Sequence, residues 1–243
     1  MRIVKSTIAT AWTACALLVA PSCDDGHVDD PVYADNTATR VARVVGTFRG
    51  LETWGENYQL ALACFEAGSD YSIVQKNFPL RKGAATPDTL TLAGVPSSAQ
   101  SVEIAVCNTL RRRIATLYSM PATESRGDTI VLDLGDADLS LAGAVDKAVF
   151  QRLSCNSCHG GDAPAAGLNL TTGRVHASLV GAASTRKPGE LLVAPGDTAR
   201  SFLYRVLTTG DENVRYSHTV FFVEDDRVPL LELVAEWIRT MDE

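Results

Sequence analysis

The most reactive grouping in the chain is a pair of cysteines followed directly by a histidine, Cys155-Asn156-Ser157-Cys158-His159. Two thiols at this spacing can add across the vinyl groups of one haem, and the adjacent imidazole can bind its iron as the proximal axial ligand. The spacing puts both sulfurs on one turn of backbone, with the ring directly beneath the porphyrin. The sequence therefore predicts one covalently bound haem c, attached through Cys155 and Cys158 and ligated by His159.

Two other kinds of site use similar cysteine pairs. A structural zinc site needs about two more ligands, and the sequence has no second cysteine pair and no His-x₃-His. A thioredoxin-like redox pair needs a preceding strand in a βαβ context, whereas Cys155 follows an amphipathic helical pattern. Both alternatives are weaker than haem attachment.

The N-terminus resembles the signal peptide of a bacterial lipoprotein. Arg2 and Lys5 precede an apolar run, residues 14–20, that is too short for an ordinary membrane span. Cys23 then stands where such proteins carry lipid, which would anchor the chain to a membrane of the cell envelope, on the periplasmic side or at the outer-membrane surface. Pro21 departs from the strictest pattern, so simple cleavage without lipid stays open.

The chain is acidic, with a formal charge of −7 over 243 residues. Removing Arg2 and Lys5 with the signal leaves 20 basic and 29 acidic residues, a charge of −9. Such a balance gives no support to nucleic-acid binding. The one basic cluster, residues 111–113, is predicted to be a solvated hairpin tip.

Cys64 and Cys107 remain after the other cysteines are assigned. An oxidising periplasm favours a disulfide between them. Their phase in the strand pattern argues against it, because Cys64 alternates in step with its apolar neighbours and Cys107 does not. The disulfide is a possible pairing only.

The chain divides into segments by pattern: a signal peptide at 1–22, a flexible polar tether at 23–39 and a period-two region at 40–134. Short strands at this spacing predict an antiparallel β-sandwich. The run Thr89–Pro96, followed by Ser101–Val106, resembles the later strands of a fibronectin type III or immunoglobulin-like domain. The predicted strands are Val41–Phe48, Asn57–Phe65, Tyr71–Lys76, Thr89–Leu92, Ser101–Asn108, Ile114–Tyr118 and Thr129–Leu134.

A linker at 135–142 precedes a region with helical period, residues 143–243. One apolar stripe, which contains Val145 and Leu153, leads into the cysteine motif. A second helix is predicted to begin near Asp197 and to carry Phe202. The clearest stripe ends the chain, where Pro229 suits the first turn and the apolar positions are Leu230, Leu233, Val234, Trp237, Ile238 and Met241.

This layout resembles the class I c-type cytochromes, and its middle resembles the planctomycete-type cytochrome c domain over about residues 143–241. The matching motifs are Cys158-His159-Gly160, residues 166–170, Leu179-Val180, residues 193–197, Ser201-Phe202-Leu203 and Trp237-Ile238. The resemblance implies an all-α, monohaem electron-transfer domain whose first and last helices pack together. The predicted fold is therefore multi-domain, an immunoglobulin-like antiparallel sandwich followed by an all-α cytochrome c fold.

The resembled family also implies a Met-Pro before the final helix as the source of the second axial ligand. This chain has three methionines, Met1, Met120 and Met241, and none occupies that place. His218 lies there instead and is the predicted replacement ligand; a five-coordinate iron below a loop histidine is the alternative. His176 is predicted to be a surface residue. A carbonyl near Pro164 would orient His159, and Arg174, Arg186 or Lys187 could pair with the haem propionates.

The function predicted is that of a membrane-tethered carrier of single electrons to or from a redox partner protein. Two alternatives remain. An open distal iron would support a peroxidase-like enzyme, and the sandwich could be a surface binding module with a fused haem domain, using Trp54, Tyr58 or Tyr71 as an aromatic platform.

Overall fold

The computed structural model describes residues 40–80, 87–124, 128–224 and 227–241. The predicted signal peptide, the tether and Cys23 lie outside these residues. From Arg40 onward the described chain belongs to one compact unit. No helix in the described ranges is long and apolar enough to cross a bilayer.

In the part of the chain that the structure describes, seven strands form two sheets, and each lies close to a strand that the alternating pattern predicts. They are β1 (Val41–Arg49), β2 (Tyr58–Phe65), β3 (Val74–Asn77), β4 (Thr89–Ala93), β5 (Ser101–Asn108), β6 (Arg113–Pro121) and β7 (Thr129–Asp138). One sheet has the strand order β4-β1-β7 and the other has the order β3-β2-β5-β6. β7 continues to Asp138, into the segment predicted as a linker.

The strand pairing is not purely antiparallel, which corrects part of the predicted fold class. β1 pairs antiparallel with β4 but parallel with β7, with Val41 opposite Thr129 and Phe48 opposite Ala137. Alternating side chains have the same period in both kinds of pair. The sequence pattern therefore located the strands without fixing their relative directions.

Within the described ranges, four short α-helices follow the sheets: α1 (Leu141–Val145), α2 (Val175–Leu179), α3 (Phe202–Thr208) and α4 (Val228–Arg239). A π-helical turn, Asp146–Gln151, continues α1. The described residues are mostly β, with 32% strand and 25% helix, so the predicted all-α cytochrome c fold is wrong. Turn and bend structure fills much of the segment between α1 and α3, where glycines such as Gly167 and Gly173 adopt positive φ.

One hydrophobic core joins the sheets to the helices. Leu60 and Ile130 come from different sheets, Val149 from the π-helical turn and Leu233 from α4, and all four are fully buried in the same cluster. The indole nitrogen of Trp54 also donates to the carbonyl oxygen of Leu139 across 2.7 Å. The helices are thus packed on the sandwich as part of its core.

The final helix forms as its apolar stripe predicts. α4 begins with Pro229 in its first turn and buries Leu233 and Trp237 while packing against α1 and α3. Glu236 is also buried and accepts a hydrogen bond of 3.0 Å from the Asn57 side chain. This helix therefore connects the sandwich to the part of the chain that carries the cysteine motif.

Candidate functional site

A sharp change of backbone direction presents the cysteine motif. Ser154 adopts a left-handed conformation (φ 57°, ψ 34°) and ends the helical segment, and Cys155–Ser157 then form a 3₁₀ turn. The amide of His159 donates to the Cys155 carbonyl across 2.9 Å. This turn carries both thiols and the imidazole to the wall of one cavity.

The two thiols differ in their surroundings. Cys155 is half-buried and packs against the hydrophobic core, whereas Cys158 is exposed. Burial raises the pKa of the Cys155 thiol to about 11. Both sulfurs are present as free thiols rather than as a disulfide.

The His159 ring is oriented by one backbone contact. Its Nδ1 lies 3.0 Å from the carbonyl oxygen of Ala165, the residue after Pro164, near which the orienting carbonyl was predicted. This bond places the ring proton on Nδ1, so Nε2 is the nitrogen with a free lone pair. Burial lowers the pKa of His159, the bond to Ala165 opposes this, and nearby His218 lowers it further. The neutral form, which binds metals, is thereby favoured.

His218 lies opposite His159. It precedes the 3₁₀ turn Thr219–Phe222, and its Nδ1 lies 2.8 Å from the Tyr216 carbonyl oxygen. The centres of the two imidazole rings are 6.0 Å apart and their planes are inclined by 36°. The Phe221 ring lies 6.3 Å from that of His218. Two histidines that are distant in sequence therefore have neighbouring rings at the cavity wall, each with Nδ1 bound to a carbonyl.

The cavity around these residues encloses about 790 Å³, within the range of about 300–1,000 Å³ that small-molecule sites occupy. Cys155, Cys158, His159 and His218 all line it. Its walls are mainly apolar, with contributions from Phe150, Leu168, Leu192, Phe202, Leu203 and Phe221. Arg186 and Arg215 also line it, and none of its described lining residues is acidic.

The geometry of the two rings fits one shared metal ion. An imidazole nitrogen lies about 2.0–2.1 Å from a bound metal and roughly 1.1 Å from its own ring centre, so two opposed imidazoles place their centres about 6.2 Å apart. The observed separation is 6.0 Å. No cluster of three or more His, Cys, Asp or Glu in the described residues could hold a metal ion. A metal that brings its own equatorial ligands needs only this pair.

The other candidate ligands lie elsewhere. His176 is exposed on α2, with its ring 6.2 Å from that of Trp237. Met120 lies in β6 and Met241 follows α4, and both pack against the hydrophobic core. Lys187 forms ion pairs with Glu190 and Asp211.

Cys64 and Cys107 are not joined. Both are buried free thiols, but Cys64 belongs to the core between the sheets and Cys107 to a small cluster on the other face of β2 and β5. Their registers differ as well, since Gln59 is opposite Cys107 and Val102 is opposite Cys64. The phase argument from the sequence agrees with this arrangement, and the structure does not contain the suggested pairing.

Two smaller predictions are corrected. The arginines do lie at the turn between β5 and β6 and Arg111 is exposed, but they are not only solvated: Arg111 donates to the Ser72 and Ile73 carbonyls, and Arg113 forms an ion pair with the buried Glu103. An aromatic platform is also absent from the positions suggested for it. Trp54 and Tyr58 are buried, and only Tyr71 of the three is exposed.

Sequence reasoning missed several residues at the site. Arg215 and Tyr216 precede His218 and line the cavity, but nothing in their spacing relates them to the cysteine motif. Asp146 and Gln151 bond to one another beneath the motif. Five-residue spacing places two side chains on different faces of an α-helix, so a helical pattern gives no signal for this pair.

Comparison with protein-family models, with curated proteins and with solved structures gave no match to this chain.

Proposed function

We propose that the chain binds one haem covalently in this cavity and serves as a carrier of single electrons. The observation that carries the proposal is the opposed pair of imidazoles, His159 and His218, in a cavity whose wall also bears Cys155 and Cys158. The proposal concerns the cofactor and its ligands. It does not require the all-α fold that the structure contradicts.

Each protein group has a distinct part in holding the haem. The thiols of Cys155 and Cys158 would hold the haem by adding across one vinyl group each, with sulfur bonding to one carbon, the thiol proton passing to the other and no oxidant consumed. His159 and His218 would bind the iron through Nε2. Arg186 and Arg215 are the lining cations that could pair with the propionates.

Electron transfer is favoured over catalysis because both axial positions have a protein ligand available. A bound haem supplies a one-electron ferric–ferrous couple. The walls of the cavity are mainly apolar, and the carbonyls of Ala165 and Tyr216 hold the two rings in fixed orientations. A site arranged in this way has no position reserved for a substrate on the iron.

The proposed setting is the bacterial cell envelope, with a redox partner protein and a lipid anchor on Cys23. This part of the proposal rests on the N-terminal sequence pattern alone. Labelling with a fatty-acid analogue should tag the wild-type protein, and Cys23→Ser should abolish the tag and release the protein from membranes. An unlabelled, soluble wild type would contradict the anchor without bearing on the haem.

The test of haem attachment uses the full chain produced together with haem-attachment machinery. After denaturing electrophoresis, the wild type should retain haem peroxidase stain, and the double variant Cys155→Ala/Cys158→Ala should show none. Cys107→Ala is the matched control, because it removes a buried thiol outside the cavity, and its stain should equal that of the wild type. Absence of stain in the wild type would overturn the proposal.

A further inference from the structure

A buried carboxylate lies directly beneath the cysteine motif. Asp146 begins the π-helical turn and is only 8% exposed. In an α-helix, side chains five residues apart point about 140° away from each other. The π-helical turn, with its i→i+5 hydrogen bonds, instead brings Gln151 round to Asp146. The Gln151 amide nitrogen donates to one carboxylate oxygen across 2.5 Å.

This contact is part of a network that reaches three segments of the chain. The second oxygen of Asp146 accepts from the Gly173 backbone amide across 2.8 Å. The Gln151 amide nitrogen also donates to the Leu170 carbonyl (3.0 Å), and its oxygen accepts from the Asn156 side chain (3.1 Å). Asn156 lies between the two cysteines, so the network connects directly to the attachment motif.

The far end of the motif is held by the same segment. The Leu170 amide donates to the His159 carbonyl across 2.6 Å. At Gly160 the chain approaches so closely that an added Cβ would lie 2.5 Å from the Asn156 carbonyl oxygen and 3.3 Å from the Thr171 methyl group. Near the start of the motif, Asn156 donates a hydrogen bond to Gln151. At its end, His159 accepts one from Leu170, whose carbonyl contacts Gln151.

The network has only one consistent arrangement of donors and acceptors. The Leu170 carbonyl can only accept, so the nitrogen of Gln151 must face it, and the oxygen of Gln151 must then face Asn156. Both oxygens of Asp146 consequently meet N–H donors. A carboxylate accepts at both positions, whereas an asparagine amide would oppose its own N–H groups to one of those donors.

We propose that Asp146 and Gln151 are positioning residues that hold the Cys155–His159 segment in the conformation that presents both thiols and the His159 ring to the cavity. Insofar as it concerns haem, this inference rests on the function proposed above. The conformation itself belongs to the protein without haem and can be tested there.

The test compares amide hydrogen exchange in the haem-free full chain for Asp146→Asn, Asn156→Ala and the control Asp162→Asn. Asp162 is an exposed carboxylate in the loop after the motif, so its loss should leave exchange unchanged. Asp146→Asn should speed exchange of amides 155–160 by about tenfold, because the new amide opposes an N–H group to one of the buried donors that now bond to Asp146. Asn156→Ala removes only the exposed hydrogen bond from the Asn156 side chain to Gln151. It should speed exchange in the same amides while the unfolding temperature stays near that of the wild type, which a merely structural role would not produce.

Loading the variants with haem gives a second measurement. The ferric magnetic spectrum and the midpoint potential of Asp146→Asn should differ from those of the wild type, while those of Asp162→Asn should match it. Exchange at 155–160 that is unchanged in both network variants would overturn the inference. If Asp146→Asn does not fold, Asn156→Ala alone decides. Faster exchange in the variants, together with a wild type that takes up no haem, would uphold the positioning role and refute the proposed function.

Discussion

The imidazole ring centres of His159 and His218 lie 6.0 Å apart, and each ring is held through Nδ1 by a carbonyl from its own local segment, Ala165 or Tyr216. Each hydrogen bond fixes both the tautomer and the direction of the remaining nitrogen. The pair is thus organised by the protein chain itself, which is the feature expected of axial ligands.

The first prediction concerns this pair. With haem bound, the wild-type ferric protein should be low-spin and should lack a methionine–iron charge-transfer band. His218→Ala should convert it to a high-spin form that binds cyanide or imidazole, because one axial ligand is lost. His218→Met should raise the midpoint potential, since thioether ligation raises it relative to other axial sets. Optical spectra and redox titration measure these changes.

His176→Ala is the matched control for His218, because His176 is the exposed histidine on α2. Its spectrum and midpoint potential should equal those of the wild type. A high-spin wild type would show an open distal position and favour the peroxidase-like alternative. A high-spin state produced by His176→Ala alone would mean that the wrong histidine had been chosen.

The second prediction concerns the strained wall of the cavity. Ala166 lines the cavity with φ at 55°, a left-handed conformation that costs an L-residue about 1–2 kcal/mol and glycine little. Ala166→Gly should therefore raise the free energy of unfolding by up to about 1 kcal/mol in urea denaturation. Neighbouring Ala165 does not have positive φ, so Ala165→Gly should lower it by about 0.5–1 kcal/mol. Equal effects of the two variants would contradict the argument.

The strands were predictable because their side chains alternate between a buried and an outer face. In β5, for example, Val102, Ile104 and Val106 share the core between the sheets. The parallel pairing of β1 with β7 was not predictable, since alternation carries no information on direction. The single core shared by the sheets and the helices was also not predicted. A change from period two to helical period shows that a helix follows a strand, and it carries no information on whether the two share a core.

The local part of the site was predictable from spacing, because Cys155, Cys158 and His159 are adjacent in sequence. His218 was reached indirectly, from the absence of a methionine where the resembled family would place one. Asp146 and Gln151 could not be predicted, since their contact depends on a π-helical turn that the apolar pattern does not reveal. The hydrogen bonds and ion pairs of the arginines at 111–113 were not predicted, because their carbonyl and carboxylate partners lie in other parts of the chain.

The third prediction contrasts two ion pairs. Glu103 is 4% exposed and accepts from Arg113, Ser101 and Thr116 on the outer face of β5. Glu103→Ala leaves a partly buried guanidinium without its nearest carboxylate, which should lower the free energy of unfolding by about 2–3 kcal/mol.

The matched variant is Asp136→Ala, which breaks the exposed pair between Asp136 and Arg49. Exposed ion pairs contribute little to stability, so the free energy of unfolding should fall by less than about 1 kcal/mol. Denaturation in urea at neutral pH measures both variants. A cost for Asp136→Ala as large as that for Glu103→Ala would refute the distinction between the two sites.

The last prediction concerns pH and the two buried thiols. Burial raises the pKa of Cys64 and of Cys107 to about 12 in the folded protein, against about 8.5 in an unfolded chain. Above about pH 8.5 the unfolded chain loses thiol protons that the folded chain retains. Stability is therefore fully present below that pH and falls as the pH rises, by about 1.4 kcal/mol per pH unit for each thiol.

The double variant Cys64→Ala/Cys107→Ala should consequently lose stability less steeply between pH 9.5 and 10.5, by about 2.6 kcal/mol per pH unit relative to the wild type. Tyr58, whose pKa burial also raises to about 12, is unchanged in both proteins and cancels from the comparison. Urea denaturation across this pH range gives the slopes, and a thiol assay on the unfolded, unreduced chain reports whether both cysteines are free. Wild type and double variant could instead lose stability with pH at equal slopes, with two thiols missing from the wild-type assay. That result would establish a disulfide between Cys64 and Cys107, although the two residues lie on opposite faces of the sheet.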